Sequence, residues 1–172
     1  MRLMIMGIGN FLMGDEGVGV HAVQRLQRSY PDTDILLLDG GTGGFHLLQY
    51  FESHDTVILV DATLDEKQPG SIRLLEPRFA KDFPPAMSTH DIGLKDMISA
   101  LQLMDKLPRI CLFTVSIASI QQQGITLTPE VEAALPALLN SIITLSSALG
   151  FPFPLQADQK QPDRDWWYAL PA

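Results

Sequence analysis

A three-layer α/β sandwich, with helices on both faces of a twisted, mostly parallel (mixed) five-stranded sheet, is the fold class this sequence predicts. Three observations lead to it. Short apolar runs alternate with segments whose apolar residues recur at helical spacing, the pattern of successive βα units. Several runs end at glycines or acids, residues that suit the tight turns at strand ends. The chain has 172 residues, 46% hydrophobic and 19% charged, enough for one domain with one sizeable core.

Arg2 to Ile8 is a buried strand running into the tight loop Gly7-Ile8-Gly9-Asn10. From Val18 to Leu26, Val18, Ala22, Val23 and Leu26 recur at helical spacing. Arg25 and Arg28 stand near the end, where the helix dipole favours cations. Asp34 to Leu38 is a second strand, followed by Asp39-Gly40-Gly41-Thr42-Gly43-Gly44. Such a loop tolerates positive φ. Phe45 to Phe51 reads as a short helix. Thr56 to Val60, apolar and rich in β-branched residues, is a third strand ending at Asp61.

Ser71 to Leu75 is a fourth strand. It follows the third without room for a crossover helix, so antiparallel pairing is expected there. Phe79 to Thr89 is a proline-bearing loop, and Asp91 to Met104 has helical spacing. Arg109 to Ile117 is the fifth strand. Thr128-Pro129-Glu130 combines a capping threonine, a first-turn proline and acids at the positive pole, and that helix stops at Gly150. Residues 1–150 form the predicted domain. Residues 151–172 differ in composition, with prolines, mixed charges and Trp166-Trp167-Tyr168, and read as a tail.

The net charge of −8 argues against a nucleic-acid partner, which needs a basic face, and against docking on an anionic membrane. The longest apolar stretch, Leu135 to Leu149, is broken by Pro136, Asn140 and serines, so no membrane-spanning segment is expected. Cys111 is the only cysteine. This excludes an internal disulfide, thiolate zinc sites and iron–sulfur clusters, and a reducing, cytoplasmic setting is the expectation.

Chemistry-bearing residues gather at predicted strand ends: Asp15-Glu16, Asp39 and Asp61, with His90 on the loop before a long helix. Open α/β sheets bind ligands outside the carboxyl ends of their strands, where strand order reverses. If the first strand lies between the second and third, Glu16 and Asp61 face one crevice. A histidine at a helix N-terminus favours its neutral form, which a metal needs. Two carboxylates and one imidazole suit nickel, zinc or a similar divalent ion and leave positions open for a substrate. Each residue has a plainer reading too. Glu16 can serve as a helix cap, Asp61 as a turn former, and His90 as a structural loop histidine. Asp15 and Asp39 can bond the glycine-rich backbones beside them. His21, His46 and His54 read as surface or core packing residues. Cys111, within Ile110-Cys111-Leu112-Phe113, reads as a small buried apolar residue.

The segment Gly7-Ile8-Gly9-Asn10-Phe11-Leu12-Met13-Gly14-Asp15-Glu16-Gly17-Val18-Gly19 resembles the opening signature of the hydrogenase maturation endopeptidases. Leu38-Asp39-Gly40-Gly41-Thr42, Val60-Asp61-Ala62 and Thr89-His90-Asp91-Ile92-Gly93-Leu94 agree in order and spacing, and the resemblance covers Met1 to Gly150. Gly14 departs from the hydroxyl residue that some members carry. The resemblance implies an α/β sandwich around a twisted mixed sheet. It also implies an endopeptidase that removes a C-terminal extension from a nickel–iron hydrogenase large-subunit precursor after nickel insertion. It assigns Glu16, Asp61 and His90 to the metal and the Asp39 loop to a further functional segment, so that all four acids and bases form the expected catalytic set. Nickel is expected to arrive with the substrate, with no tightly bound organic cofactor.

Two rival readings differ in class. Gly7-Ile8-Gly9 begins like a dinucleotide-binding fingerprint, but Leu12 fills its last glycine position and an acid pair follows where a pyrophosphate would lie. A non-catalytic nickel-binding accessory protein for hydrogenase assembly would use the same three ligands, and a cleavage assay separates it from a protease.

Overall fold

The computed structural model describes residues 1–87, 94–119 and 123–154. Among these, five strands form one sheet: β1 (Leu3–Ile8), β2 (Leu36–Gly41), β3 (Thr56–Thr63), β4 (Ile72–Leu75) and β5 (Arg109–Ser116). Their spatial order is β2-β1-β3-β5-β4. β1 pairs in parallel with both β2 and β3, and β3 pairs in parallel with β5. The first strand thus lies between the second and third, as the shared crevice requires.

β4 is antiparallel, but it pairs with β5 and not with β3. Only residues 64–71 separate β3 from β4. Such a link is shorter than a parallel crossover needs. Gly70, at φ +89°, makes the turn and donates its N–H to the Ser116 carbonyl, which fixes where β4 enters.

Among the described residues, four helices cover the sheet: α1 (Val18–Ser29), α2 (Leu48–Glu52), α3 (Leu94–Leu103) and α4 (Pro129–Ala148). β1 and β3 are buried along their whole length. Their alternate side chains therefore supply two cores. Ile5, Ile58, Val60, Cys111 and Phe113 pack with Val23 of α1 and Leu135 of α4 on one face. Met4, Met6, Val57, Leu59 and Leu112 pack with Phe51 of α2 and Ile98 of α3 on the other. α4 is long and apolar enough to cross a membrane. Here Val131, Leu135, Leu138 and Ile142 bury one side of it against the sheet.

Several boundaries differ from the sequence reading. β3 runs on to Thr63 because its ladder with β5 continues to the Thr63–Ser116 pair, so Asp61 lies inside a strand and not past its end. Asp39 is likewise inside β2, paired with Gly7. The helix expected at Phe45 starts as a 3₁₀ turn, Phe45–Leu47, before α2. The proline-bearing loop holds a 3₁₀ turn, Ala80–Asp82, whose Asp82 carboxylate accepts from the Arg78 and Phe79 N–H groups. The helix expected from Asp91 is described from Leu94. Packing continues past Gly150: Phe151 and Phe153 lie on the first core, with the Phe153 and Tyr30 rings 4.9 Å apart.

Candidate active site

The loop after β1 is shaped by close backbone approach. A β-carbon on Gly7 would run into the Gly19 carbonyl, and one on Gly19 into the Val60 carbonyl. These glycines let the start of α1 settle directly on β1 and β3. Between them lies a 3₁₀ turn, Gly14–Gly17, all of whose residues are buried. Gly14 enters it at φ +57°.

Glu16 sits on this turn, 5% exposed, and Asp61 on β3 is fully buried. The turn packs against β3. Two buried carboxylates on adjoining elements are costly to hold without compensating charge or hydrogen bonds. Asp61 Oδ1 accepts from the Ala62 N–H at 2.7 Å. Strand alternation puts Asp61 on the face of Val57 and Leu59, the side covered by α2 and α3.

On that side the chain passes beside the end of β3. Thr63 and Met87 form a β-bridge, and the Leu64 N–H donates to the Ala86 carbonyl. Met87 is thus fixed close along β3 from Asp61, and α3 is described from Leu94. His90 lies outside the described residues. Among the described residues, no three of His, Cys, Asp and Glu gather closely enough to hold a metal ion.

Asp39 is exposed, unlike Glu16 and Asp61. Its Oδ1 accepts from the Gly41 N–H at 2.9 Å, an Asx turn, and Gly41 in turn accepts from the Gly9 N–H. The glycine loop of β2 is thereby tied to the loop that carries Glu16. Asp15 is fully buried. Its two carboxylate oxygens accept from the Thr128 N–H at 2.8 Å and the Thr128 hydroxyl at 2.7 Å. Thr128 is the N-cap of α4, but its hydroxyl serves Asp15 and makes no capping bond within its own helix.

Of the remaining candidates, His46 is exposed, and His21, His54 and Cys111 are packing residues. The His21 ring lies against Phe11, with centroids 4.7 Å apart. Burial, aided by the nearby Arg25 guanidinium, holds its pKa below the ordinary value of 6.5. His54 Nδ1 donates to the Tyr50 carbonyl at 2.7 Å. Burial pushes the Cys111 thiol up, which suits an inert core residue. A hollow of about 580 Å³ lined by Arg2, Asp34, His54 and Phe153 lies elsewhere, where the N-terminal ends of β1 and β2 meet the chain after α4.

Residues 20–145 match the family model described as hydrogenase maturation protease (HycI). The chain belongs to the hydrogenase maturation protease family. The protease is 33% identical to the hydrogenase expression/formation protein HupD of Rhizobium leguminosarum bv. viciae, over 87% of this chain and 76% of that protein. It is 34% identical to the hydrogenase 2 maturation protease of Escherichia coli (strain K12), over 83% of this chain and 89% of the relative. Its fold is similar to that of the hydrogenase maturating endopeptidase HybD from E. coli. The TM-score is 0.80 at 31% identity, covering 88% of this chain and 96% of that one.

Sequence reasoning missed one feature of the protease. Thr63, Thr114 and Ser116 are buried, and their side-chain hydroxyls have no hydrogen-bond partner among the described residues. By register and alternation all three share the face of Asp61. The signal was present: Thr114 and Ser116 are the polar residues in an otherwise apolar end of β5, at period two.

Proposed function

We propose that this protease removes the C-terminal extension of a nickel–iron hydrogenase large-subunit precursor and recognises it through the nickel that the precursor carries. Glu16, Asp61 and His90 are the proposed ligands. The observation that carries the reading is the pair of buried acids, Glu16 and Asp61, on adjoining elements at the switch point between β1 and β3. Burial makes two such carboxylates a poor surface for a neutral peptide and a good one for a divalent cation.

The nickel-free precursor brings no cation to this acidic pair and docks weakly. A charge-assisted contact is worth about 1.5–3 kcal/mol, so loading strengthens docking by about tenfold or more. Bound in the substrate, nickel supplies positive charge to the two carboxylates. Asp39 completes the catalytic set. It remains exposed where Glu16 and Asp61 are buried, so it is the carboxylate able to take a proton from water as general base. A setting in the cytoplasm, beside the assembling hydrogenase, goes with this reading and with the single cysteine.

The test is cleavage of nickel-loaded precursor, followed by mass measurement of the large subunit, with Asp61→Ala and His90→Ala. Both variants are expected to lose turnover. Wild-type rates in both would overturn the ligand assignment.

A further inference from the structure

We infer that Asp15 is a positioning residue, which locks the Glu16 turn to the N-terminus of α4 and so sets the site's preference for metal-loaded substrate. The inference rests on the reading of Glu16 as a ligand. Three observations support it.

First, both Asp15 oxygens are engaged by one residue, Thr128, through its backbone N–H and its hydroxyl. A bidentate grip fixes orientation as well as distance. Second, Thr128 caps a 20-residue helix whose first turn also holds Pro129 and Glu130. The Asp15 carboxylate therefore lies at the positive end of this helix, bonded to its N-cap residue, where the helix dipole favours the negative charge. Third, the same stretch grips the loop a second time. The Gly14 N–H donates to the Gly124 carbonyl, and the Gly124 N–H donates to the Leu12 carbonyl, both at 2.7 Å.

Glu16 follows Asp15 directly within the 3₁₀ turn. With Asp15 pinned, the turn has little freedom, and the Glu16 carboxylate is delivered to one place beside β3. A site that must distinguish a loaded from an empty substrate by one charge contact depends on that placement, since a small displacement weakens the contact steeply.

The experiment measures the affinity of the protease for nickel-loaded and nickel-free precursor by surface plasmon resonance, together with the thermal midpoint. Asp15→Asn puts an amide N–H₂ against the donors of Thr128. Thr128→Val removes only the hydroxyl, and Thr128→Ser keeps both donors. Asp15→Asn and Thr128→Val are expected to reduce the loaded-to-free affinity ratio from about tenfold to about twofold or less. Thr128→Ser is expected to restore it. A purely structural bond would weaken both affinities together and leave the ratio intact, and that result overturns the inference. If Asp15→Asn fails to fold, Thr128→Val decides on the same criterion. Glu16→Ala is measured beside them. If its ratio equals that of the wild type, the ligand reading itself is wrong, whereas a collapsed ratio for Glu16→Ala with intact ratios for the Asp15 and Thr128 variants rejects the positioning role alone.

Discussion

Asp61 and Thr114 stand directly across from each other in the β3–β5 ladder, so their side chains share the face of the sheet that α2 and α3 cover. The carboxylate is fully buried, and the threonine hydroxyl beside it has no hydrogen-bond partner among the described residues. Thr63 and Ser116 repeat the pattern one pleat further on. A buried hydroxyl without a partner costs about 1–3 kcal/mol, and an apolar group of the same shape avoids that cost. Thr114→Val is therefore expected to raise stability by about 1 kcal/mol, a rise in thermal midpoint of about 2–4 °C for a domain of this size. A clear fall in the midpoint on thermal unfolding would show that the hydroxyl is satisfied.

The same row shows what was legible in the sequence and what was not. Alternation of apolar runs and helical spacing was enough for five strands, four helices and their order along the chain, because those signals are local. Ladder length is not local. Asp61 reads as a residue beyond its strand, and only pairing with Thr114 draws it inside. The partner of Asp15 was harder still. Thr128 is 113 residues away and carries a complete cap signal of its own, so nothing nearby marks its hydroxyl as the donor to a distant acid. Asp39 was the opposite case: the glycine two positions on was sufficient to foresee the Asx turn that forms.

The glycines that seat α1 set a second expectation. Gly19→Ala places a β-carbon into the Val60 carbonyl, a backbone atom in the middle of the sheet beside Asp61. Side chains can rotate away from an intruding methyl, but a buried strand cannot. Overpacking typically costs about 1–3 kcal/mol, and the loss here is expected at or above the top of that range. Urea unfolding should show a lower midpoint with an unchanged slope. A loss below about 0.5 kcal/mol would mean that the helix lifts from the sheet without the cost that overpacking brings.

Asp39 permits a separation of charge from shape. Asparagine keeps the oxygen that accepts the Gly41 N–H, so Asp39→Asn leaves the Asx turn in place and removes only the basic carboxylate. General-base catalysis contributes about 10²–10⁴-fold. The variant is expected to lose about a hundredfold or more in kcat on nickel-loaded precursor, with KM and thermal midpoint close to wild type. Unaltered kcat would leave Asp39 with the turn alone.

His21 gives the protein a stability that depends on pH. Burial lowers its pKa in the fold, Arg25 and Arg28 act in the same direction, and Glu132 and a hydrogen bond to the Ile125 backbone act against them. Its buried Nε2 has no hydrogen-bond partner among the described residues, so a proton added there would be both desolvated and unpaired. The folded state binds this proton less readily than the unfolded chain, whose histidine keeps the ordinary value of 6.5. Stability therefore rises with pH between the folded and unfolded values. The contribution is complete above 6.5 and is lost as the pH falls through that value toward the lower, folded one. Thermal midpoints of the wild type and of His21→Gln, measured from about pH 8 to about pH 5, are expected to diverge below about 6.5, the wild type falling more steeply. Parallel profiles would show that the ring takes up its proton in the fold as easily as in the unfolded chain.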